Sequence, residues 1–125
     1  MVKLENLEVY KLAMEVGEKI WVMVLTWDYF CKDTLGKQMV RSADSISSNI
    51  SEGYGRFSYK ENKQFCYYSR GSLMETKTWI TKAMNRKLIA EEDFQTLFTN
   101  LELIHKKFNG YIKSIGRKNE PMTSD

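Results

Sequence analysis

The chain has 125 residues and 42% apolar content, which suits one domain with one compact core. Its formal charge of +3 and isoelectric point near 8.8 allow nucleic-acid binding but exclude a dedicated DNA-coating protein. One proline and seven glycines favour long helices and argue against an all-β fold. We therefore predict an all-α fold.

Neither a secretion signal nor a membrane span is evident in the sequence. The N-terminal stretch MVKLENLEVYKLAMEVGEK mixes acidic with apolar residues, and no stretch is long and apolar enough to cross a bilayer. We expect a cytoplasmic protein with no membrane contact. Cys31 and Cys66 lack motif spacing, so free thiols are expected, with Cys66 in the core.

The first predicted helix runs from Leu4 to Trp27 and carries two interleaved apolar stripes. They consist of Leu7, Tyr10, Met14, Gly17, Trp21 and Val24, and of Ala13, Val16, Ile20, Met23 and Trp27. This face is wider than a two-stranded coiled coil needs, so the helix should contact more than one neighbour. Residues 28–34 break the rhythm and predict a loop, in which Asp33 or Thr34 caps the second helix.

The second predicted helix continues to Tyr54 and includes the run RSADSISSNISEGYGR. Serine competes with the helical backbone for hydrogen bonds, so packing must hold this serine-rich helix. Its small side chains allow a neighbouring helix to approach closely. The predicted buried stripe is Leu35, Met39, Ala43, Ile46 and Ile50.

A glycine-containing turn separates the second and third predicted helices. Either Gly53 or Gly55 can take the left-handed conformation that ends a helix. Ser58 followed by Glu61 forms a capping box, so the third helix should start there and extend to Lys87. Its predicted buried stripe is Phe65, Tyr68, Ser72, Thr76, Trp79 and Ala83.

The fourth predicted helix follows a short turn at residues 88–90 and begins with three acids, Glu91, Glu92 and Asp93, that favour a helix N-terminus. Its apolar face is Phe94, Leu97, Phe98, Leu101, Ile104, Phe108, Ile112 and Ile115. Short connections place consecutive helices antiparallel. We therefore predict an up-down-up-down four-helix bundle over residues 1–116 and a polar, disordered tail at 117–125.

The run QMVRSADSISSNISEGYGR, followed by SRGSLMETK, resembles the bacterial four-helix-bundle proteins encoded in intervening sequences of 23S ribosomal RNA genes. The matching positions are Arg41, Ser45, Ile46, Asn49, Ile50, Glu52, Gly53, Gly71, Ser72 and Glu75. The resemblance implies a closed homo-oligomeric ring, a pentamer, without established catalytic activity or a cofactor. It also implies kinship with accessory proteins of diversity-generating retroelements, which bind nucleic acid and a reverse transcriptase.

A polar cluster accompanies the apolar stripe of the second helix. Its members are Arg41, Ser45, Asn49 and Glu52, with Glu75 from the third helix. In an antiparallel pair, Arg41 lies within about one turn of Glu75, so an ion pair is feasible. We interpret the cluster as structural, fixing helix register. The alternative is an enzyme site inside the bundle that uses Arg41, Glu52 and Glu75.

Metal binding and nucleophilic catalysis find little support in the sequence. His105 is the single histidine, and no second helix offers the Glu-x-x-His partner of a carboxylate-bridged metal bundle. Cys66 and the serines would likewise need a positioned base. We therefore predict neither a metal site nor catalytic residues.

Basic residues are predicted to gather at one end of the bundle. They are Lys3, Arg56, Lys60, Lys63, Lys113, Arg117 and Lys118. Aromatic Tyr54, Phe57 and Tyr59 lie nearby and can stack on bases. Repeated around a ring, this surface would make many phosphate contacts with RNA or DNA. The alternative is that the lysines only solvate helix ends.

The 13% aromatic content exceeds what one small bundle's interior needs, which favours a homo-oligomeric interface. Our main hypothesis is a non-catalytic oligomer that binds nucleic acid or serves a ribonucleoprotein, with a reverse transcriptase or another protein as a further partner. The alternatives are a purely structural scaffold and the enzyme described above.

Overall fold

Four long helices dominate residues 2–116, the part of the chain that the computed structural model describes. They are α1 (Glu8–Leu25), α2 (Lys37–Tyr54), α3 (Tyr59–Asn85) and α4 (Glu91–Ser114). Each of α2, α3 and α4 packs on its neighbour, and α1 packs on both α2 and α4, so the helices surround one core. No strand occurs within the described range. The predicted all-α four-helix bundle is confirmed, whereas the predicted tail at 117–125 lies outside the described residues.

The predicted apolar stripes of α2 and α4 are both largely buried in the core. On α2 every predicted member is buried, from Leu35 to Ile50. Most residues of the predicted stripe on α4, from Leu97 to Ile115, are also buried. The exceptions are Phe94 and Phe98, which are partly buried against the core. Strong apolar periodicity therefore identified the buried face of both helices.

On α1, one of the two predicted stripes lies largely in the core, and the other is divided between buried and exposed positions. Ala13, Val16 and Ile20 are almost fully buried, whereas Met14 and Trp21 are 43% and 50% exposed. The helix is also shorter than predicted, because a 3-10 turn at Leu4–Asn6 precedes it and extended backbone at Leu7 interrupts it. The prediction that this helix contacts more than one neighbour is confirmed, since α1 packs on both α2 and α4, and part of its wide apolar face stays exposed.

The predicted loop at residues 28–34 is helical instead. Asp28 caps a helical turn at Tyr29–Cys31, its carboxylate accepting a hydrogen bond from the Cys31 backbone N–H at 2.9 Å. A π-helical turn at Lys32–Gly36 then continues directly into α2. The predicted caps have other roles: Asp33 pairs with Lys37 at 2.9 Å, and Thr34 donates to the Phe30 carbonyl at 2.7 Å.

Ser58, in the turn between α2 and α3, caps the N-terminus of α3, as predicted. Its hydroxyl accepts from the Glu61 backbone N–H at 3.1 Å. The prediction of a left-handed glycine is wrong, because Gly55 has a φ of −84° and Gly53 is still helical. Gly53 is needed for space: a Cβ there would lie 2.7 Å from Asn62 Oδ1 and 2.9 Å from Phe65 Cβ.

The buried face of α3 differs from its predicted stripe. It consists of Asn62, Cys66, Ser69, Leu73, Thr76, Ile80 and Ala83. Phe65, Ser72 and Trp79 are only partly buried, and Tyr68 is 51% exposed. Small hydroxyl residues of α3 can be buried here because they form hydrogen bonds to α2. The Ser69 hydroxyl donates to the Ile46 carbonyl at 2.6 Å, and the Thr76 hydroxyl donates to Ser42 Oγ at 2.9 Å.

Candidate functional site

The basic residues at one bundle end are brought together by contacts between distant segments. The Tyr54 hydroxyl donates to the Val2 carbonyl, and a Cβ at Gly116 would lie 3.2 Å from the Tyr59 ring. The N-terminus, the α2–α3 turn and the end of α4 therefore meet. This end carries Lys3, Arg56, Lys60, Lys63 and Lys113, whereas Arg117 and Lys118 lie outside the described residues. We call these five described residues the bundle-end surface.

Arg56 contributes little net charge to the bundle-end surface. Its guanidinium lies 2.9 Å from the Glu52 carboxylate and 3.9 Å from that of Glu61, and its centre is 4.6 Å from the Phe65 ring centroid. Lys3 and Lys60 are exposed, and Phe57 is 79% exposed. Any phosphate contact at this end therefore depends on lysines, with Phe57 available for stacking.

The predicted polar cluster does not form an interior site. Arg41 and Glu75 are exposed and make no ion pair with each other, although both belong to the described range, and Glu52 pairs with Arg56 instead. Ser45 donates to the Arg41 carbonyl at 2.8 Å, and Asn49 donates to the Ser45 carbonyl at 2.9 Å. These two side chains therefore bond to carbonyls of their own helix, and the feasible ion pair between Arg41 and Glu75 does not form within the described residues.

The outer face of α3, defined by Tyr67, Gly71, Met74 and Thr78, presents apolar surface to solvent. Tyr67 is 45% exposed and Met74 is 48% exposed. A Cβ at Gly71 would meet nothing in the described protomer within 4 Å. Glycine in a helix interior costs about 0.5–1 kcal/mol relative to alanine. Packing within the protomer therefore does not account for this glycine.

A groove between α3 and α4 was not predicted from the sequence. It holds a cavity of about 290 Å³ lined by Lys77, Glu102, His105, Lys106 and Asn109. Arg70 closes one side by donating to Asn109 Oδ1 at 3.0 Å. The signal that was missed is the seven-residue spacing of Lys63, Arg70 and Lys77, which places three cations along one side of α3.

The environment of His105 in this α3–α4 groove is unfavourable to a positive charge. Burial lowers the pKa of the His105 imidazole, and the charges of Lys77 and Arg70 lower it further. The imidazole is therefore mostly neutral near pH 7. A neutral imidazole can donate one hydrogen bond and accept another.

A second, larger cavity lies between α1 and the connection from α3 to α4. Its volume is about 610 Å³, and its lining includes Val22, Met23, Trp27, Leu88 and Ile89. Val22 is 61% exposed, so apolar surface continues outside the cavity. The polar residues of its lining are of mixed character, with two carboxylates, Glu18 and Asp93, and one cation, Lys19, so positive charge does not predominate there as it does in the α3–α4 groove.

Thiol and metal chemistry find no site in the described part of the chain. Cys31 and Cys66 are free, and burial raises the pKa of the Cys66 thiol to about 12, so this thiol is not a nucleophile near neutral pH. Within residues 2–116, no three His, Cys, Asp or Glu side chains are grouped to hold a metal ion. None of the described helices combines the length and hydropathy that a membrane span requires.

Comparison with known proteins places the chain in a family. The sequence profile of the 23S rRNA-intervening sequence proteins matches residues 5–110. The chain belongs to this family. A crystal structure of a protein with unknown function from the S23 ribosomal protein family of Bacteroides thetaiotaomicron has a similar fold, with a TM-score of 0.76 and 21% identity over 85% of this chain and 96% of that chain. No curated protein sequence matches the chain.

Two structural groups emerge among the positions that carry the resemblance to 23S rRNA-intervening sequence proteins. Ile46, Ile50 and Gly53 are buried where α2 meets α3. Arg41, Gly71 and Glu75 are exposed, as is Glu52. Core packing explains the first group. The second group lies on the surface, so core packing does not account for it.

Proposed function

We propose that this 23S rRNA-intervening sequence protein acts by binding, without catalysing a reaction, as a homo-oligomer that associates with RNA or DNA. The assembly is the closed pentameric ring that the family resemblance implies. The outer face of α3 is the observation that carries this proposal. It combines exposed apolar side chains with a glycine that has no packing role in the protomer.

Gly71 supports self-association because a helix lacking a side chain at its centre allows another helix to approach closely. Tyr67 and Met74 flank this position along the same face and provide apolar area on either side. Tyrosine and methionine are enriched in interfaces of this kind. A second copy of the chain is the occupant that we propose for this face.

Sedimentation-velocity ultracentrifugation of the wild-type protein and of Gly71→Leu tests the assembly. We expect the wild-type protein to sediment as an oligomer, and the variant to dissociate while keeping its helical circular-dichroism spectrum. Gly110→Leu is the matched control, because Gly110 also lies within a helix with open space around it. A monomeric wild-type protein at high concentration would overturn the proposal.

Nucleic-acid binding is proposed for the bundle-end surface. Each protomer offers Lys3, Lys60 and Lys63 there, with Phe57 exposed beside them. A single copy has too few cations for tight binding, since acidic residues balance Arg56. A ring repeats the same contacts, and linked sites gain affinity through effective concentration.

Filter binding of RNA and DNA at two salt concentrations tests this part. We expect the logarithm of the affinity to fall with the logarithm of salt concentration. The double variant Lys60→Gln/Lys63→Gln should lower that slope by about 1 for each of the two lysines that binds a phosphate. The control Lys11→Gln/Lys19→Gln removes the same charge from exposed positions of α1 and should change the slope little.

The second candidate is a protein-interaction scaffold that does not bind nucleic acid. The ion pairs of Arg56 with Glu52 and Glu61 favour it, because they reduce the charge of the bundle end. Absence of affinity for RNA and DNA at low salt would select this alternative, with a reverse transcriptase or another protein as the partner to be sought. The enzyme alternative loses support because Arg41, Glu52 and Glu75 are exposed and Glu52 pairs with Arg56.

A further inference from the structure

The α3–α4 groove brings together three cations, Arg70, Lys77 and Lys106, with one lining carboxylate, Glu102. Arg70, Lys77 and Lys106 form no ion pair with any residue in the range 2–116, in contrast to Arg56, Lys37 and Lys107. Arg70 is held by Asn109 and lies 5.1 Å from the Tyr67 ring centroid, while Lys77 lies 5.3 Å from that of Phe98. Neutral groups thus position both cations.

The lining of the cavity contains donors that converge on one space. Lys77 comes from α3, and His105, Lys106 and Asn109 come from α4, while Glu102 is the carboxylate among the described lining residues. The cavity volume of about 290 Å³ is at the lower limit of small-molecule sites. This size suits one small anion better than a whole nucleotide.

We propose that the α3–α4 groove binds a phosphate group, either as inorganic phosphate or as a phosphodiester of a nucleic acid. Lys77 and Lys106 supply the charge that neutralises the phosphate, and His105 donates a hydrogen bond to a phosphate oxygen. Arg70 holds Asn109 in place at the edge of the cavity. This site lies on the side of the bundle and does not depend on the bundle-end surface.

Phosphate in the groove would change the protonation of His105. The groups that face this imidazole are Arg70 and Lys77 from α3, and Glu102 and Lys106 on its own helix. On the α1 side of α4, Glu8 instead pairs with Lys107 at 3.1 Å. A bound anion offsets the cations that disfavour the imidazolium, so the pKa of His105 should rise on binding. A phosphodiester, whose charge is constant near neutral pH, should therefore bind more tightly as the pH falls through the pKa of His105.

Because the chain has one histidine, proton NMR of the tag-free protein reports His105 directly. We would titrate its imidazole in a chloride buffer, with inorganic phosphate, and with the dinucleotide UpU, at equal ionic strength. In the wild-type protein we expect the pKa to rise by about 1 unit with a bound phosphate group. Lys77→Gln/Lys106→Gln should lose most of this rise, whereas Lys11→Gln/Lys19→Gln should retain it.

The arms of the experiment distinguish the source of the phosphate. A rise with inorganic phosphate supports a site for free phosphate, and a rise with UpU alone supports a nucleic-acid phosphodiester. Retention of the rise in Lys60→Gln/Lys63→Gln would show that the groove acts independently of the bundle-end surface, whatever the fate of nucleic-acid binding there. No rise with either probe, or an equal rise in the Lys77→Gln/Lys106→Gln variant, would overturn the proposal.

Discussion

The carboxylate of Asp44 lies in the tight contact between α1 and α2. A Cβ at Gly17 would be 3.0 Å from its Oδ1 atom, so the two helices are close at this point. Burial raises the pKa of Asp44, and the nearby negative charge of Glu18 raises it further. The ionised form is therefore less favourable in the folded protein than in the unfolded chain.

Replacing Asp44 by Asn should stabilise the protein at pH 7. The pKa of Asp44 is higher in the folded protein than in the unfolded chain. At pH values above the folded-state pKa, ionisation of Asp44 therefore lowers the free energy of unfolding. This cost disappears as the pH falls through the folded-state pKa. Urea unfolding at pH 7 and pH 4 measures the difference between variant and wild type. We expect the advantage of Asp44→Asn to shrink at pH 4.

Glu18→Gln provides a control for this interpretation. It removes the charge that repels Asp44 and leaves the burial of Asp44 unchanged, so it should give a smaller gain at pH 7. An equal benefit of Asp44→Asn at both pH values would show that packing, and not ionisation, is responsible.

At the level of the elements, the C-terminus of α3 contains a residue in an unfavourable conformation. Lys87 has a φ of +61°, and the neighbouring Leu88 N–H bonds to the Ala83 carbonyl at 2.8 Å. Glycine takes this left-handed conformation at no steric cost. We expect Lys87→Gly to raise the free energy of unfolding by about 1 kcal/mol, measured by urea unfolding. Arg86→Gly, at a position with φ of −89°, should give no such gain.

The packing of α2 against α3 leads to a second prediction at this scale. Gly53→Ala should lower the free energy of unfolding by about 2 kcal/mol, because its Cβ would overlap Asn62, including the backbone oxygen at 2.9 Å. Gly110→Ala in α4 should raise it by about 0.5–1 kcal/mol, since the added methyl meets nothing nearby in the described protomer. Thermal unfolding followed by circular dichroism compares the two. Similar effects at both sites would contradict the close packing at Gly53.

The helices themselves were largely predictable, because apolar periodicity and the Ser58 cap are local signals. The buried face of α3 was not, since the side chain of Ser69 is acceptable in the core only through its bond to the Ile46 carbonyl in another helix. The helical turn after Asp28 was missed because Tyr29 and Phe30, 79% and 74% exposed, do not continue an apolar stripe.

For the whole molecule, self-association should make stability depend on protein concentration. Assembly stabilises the folded state by mass action, so the thermal midpoint of the wild-type protein should rise as its concentration increases. Differential scanning calorimetry over a wide range of protein concentrations measures this. Gly71→Leu should lose most of the dependence, and a wild-type midpoint that is constant over the range would contradict an obligate oligomer.

The candidate sites were only partly predictable, because they depend on how whole helices align. The bundle-end surface was anticipated from topology, since its lysines lie near chain turns and ends. The α3–α4 groove depends on the alignment of the two helices that brings Arg70 to Asn109, which is 39 residues away in the sequence. No local sequence pattern specifies that alignment. The ion pairs of Arg56 with Glu52 and Glu61 likewise depend on the detailed geometry of the turn between α2 and α3.

The π-helical turn at Lys32–Gly36 has a consequence for how this chain can vary in length. A π turn contains more residues than an α turn, so removal of one residue there can restore ordinary helical geometry. Such a deletion would rotate the short stretch before it by about 100° and leave everything after Gly36 undisturbed. We therefore expect a one-residue deletion at the exposed Asp33 or Thr34 to be tolerated better than one inside α2, which would turn the apolar stripe away from the core.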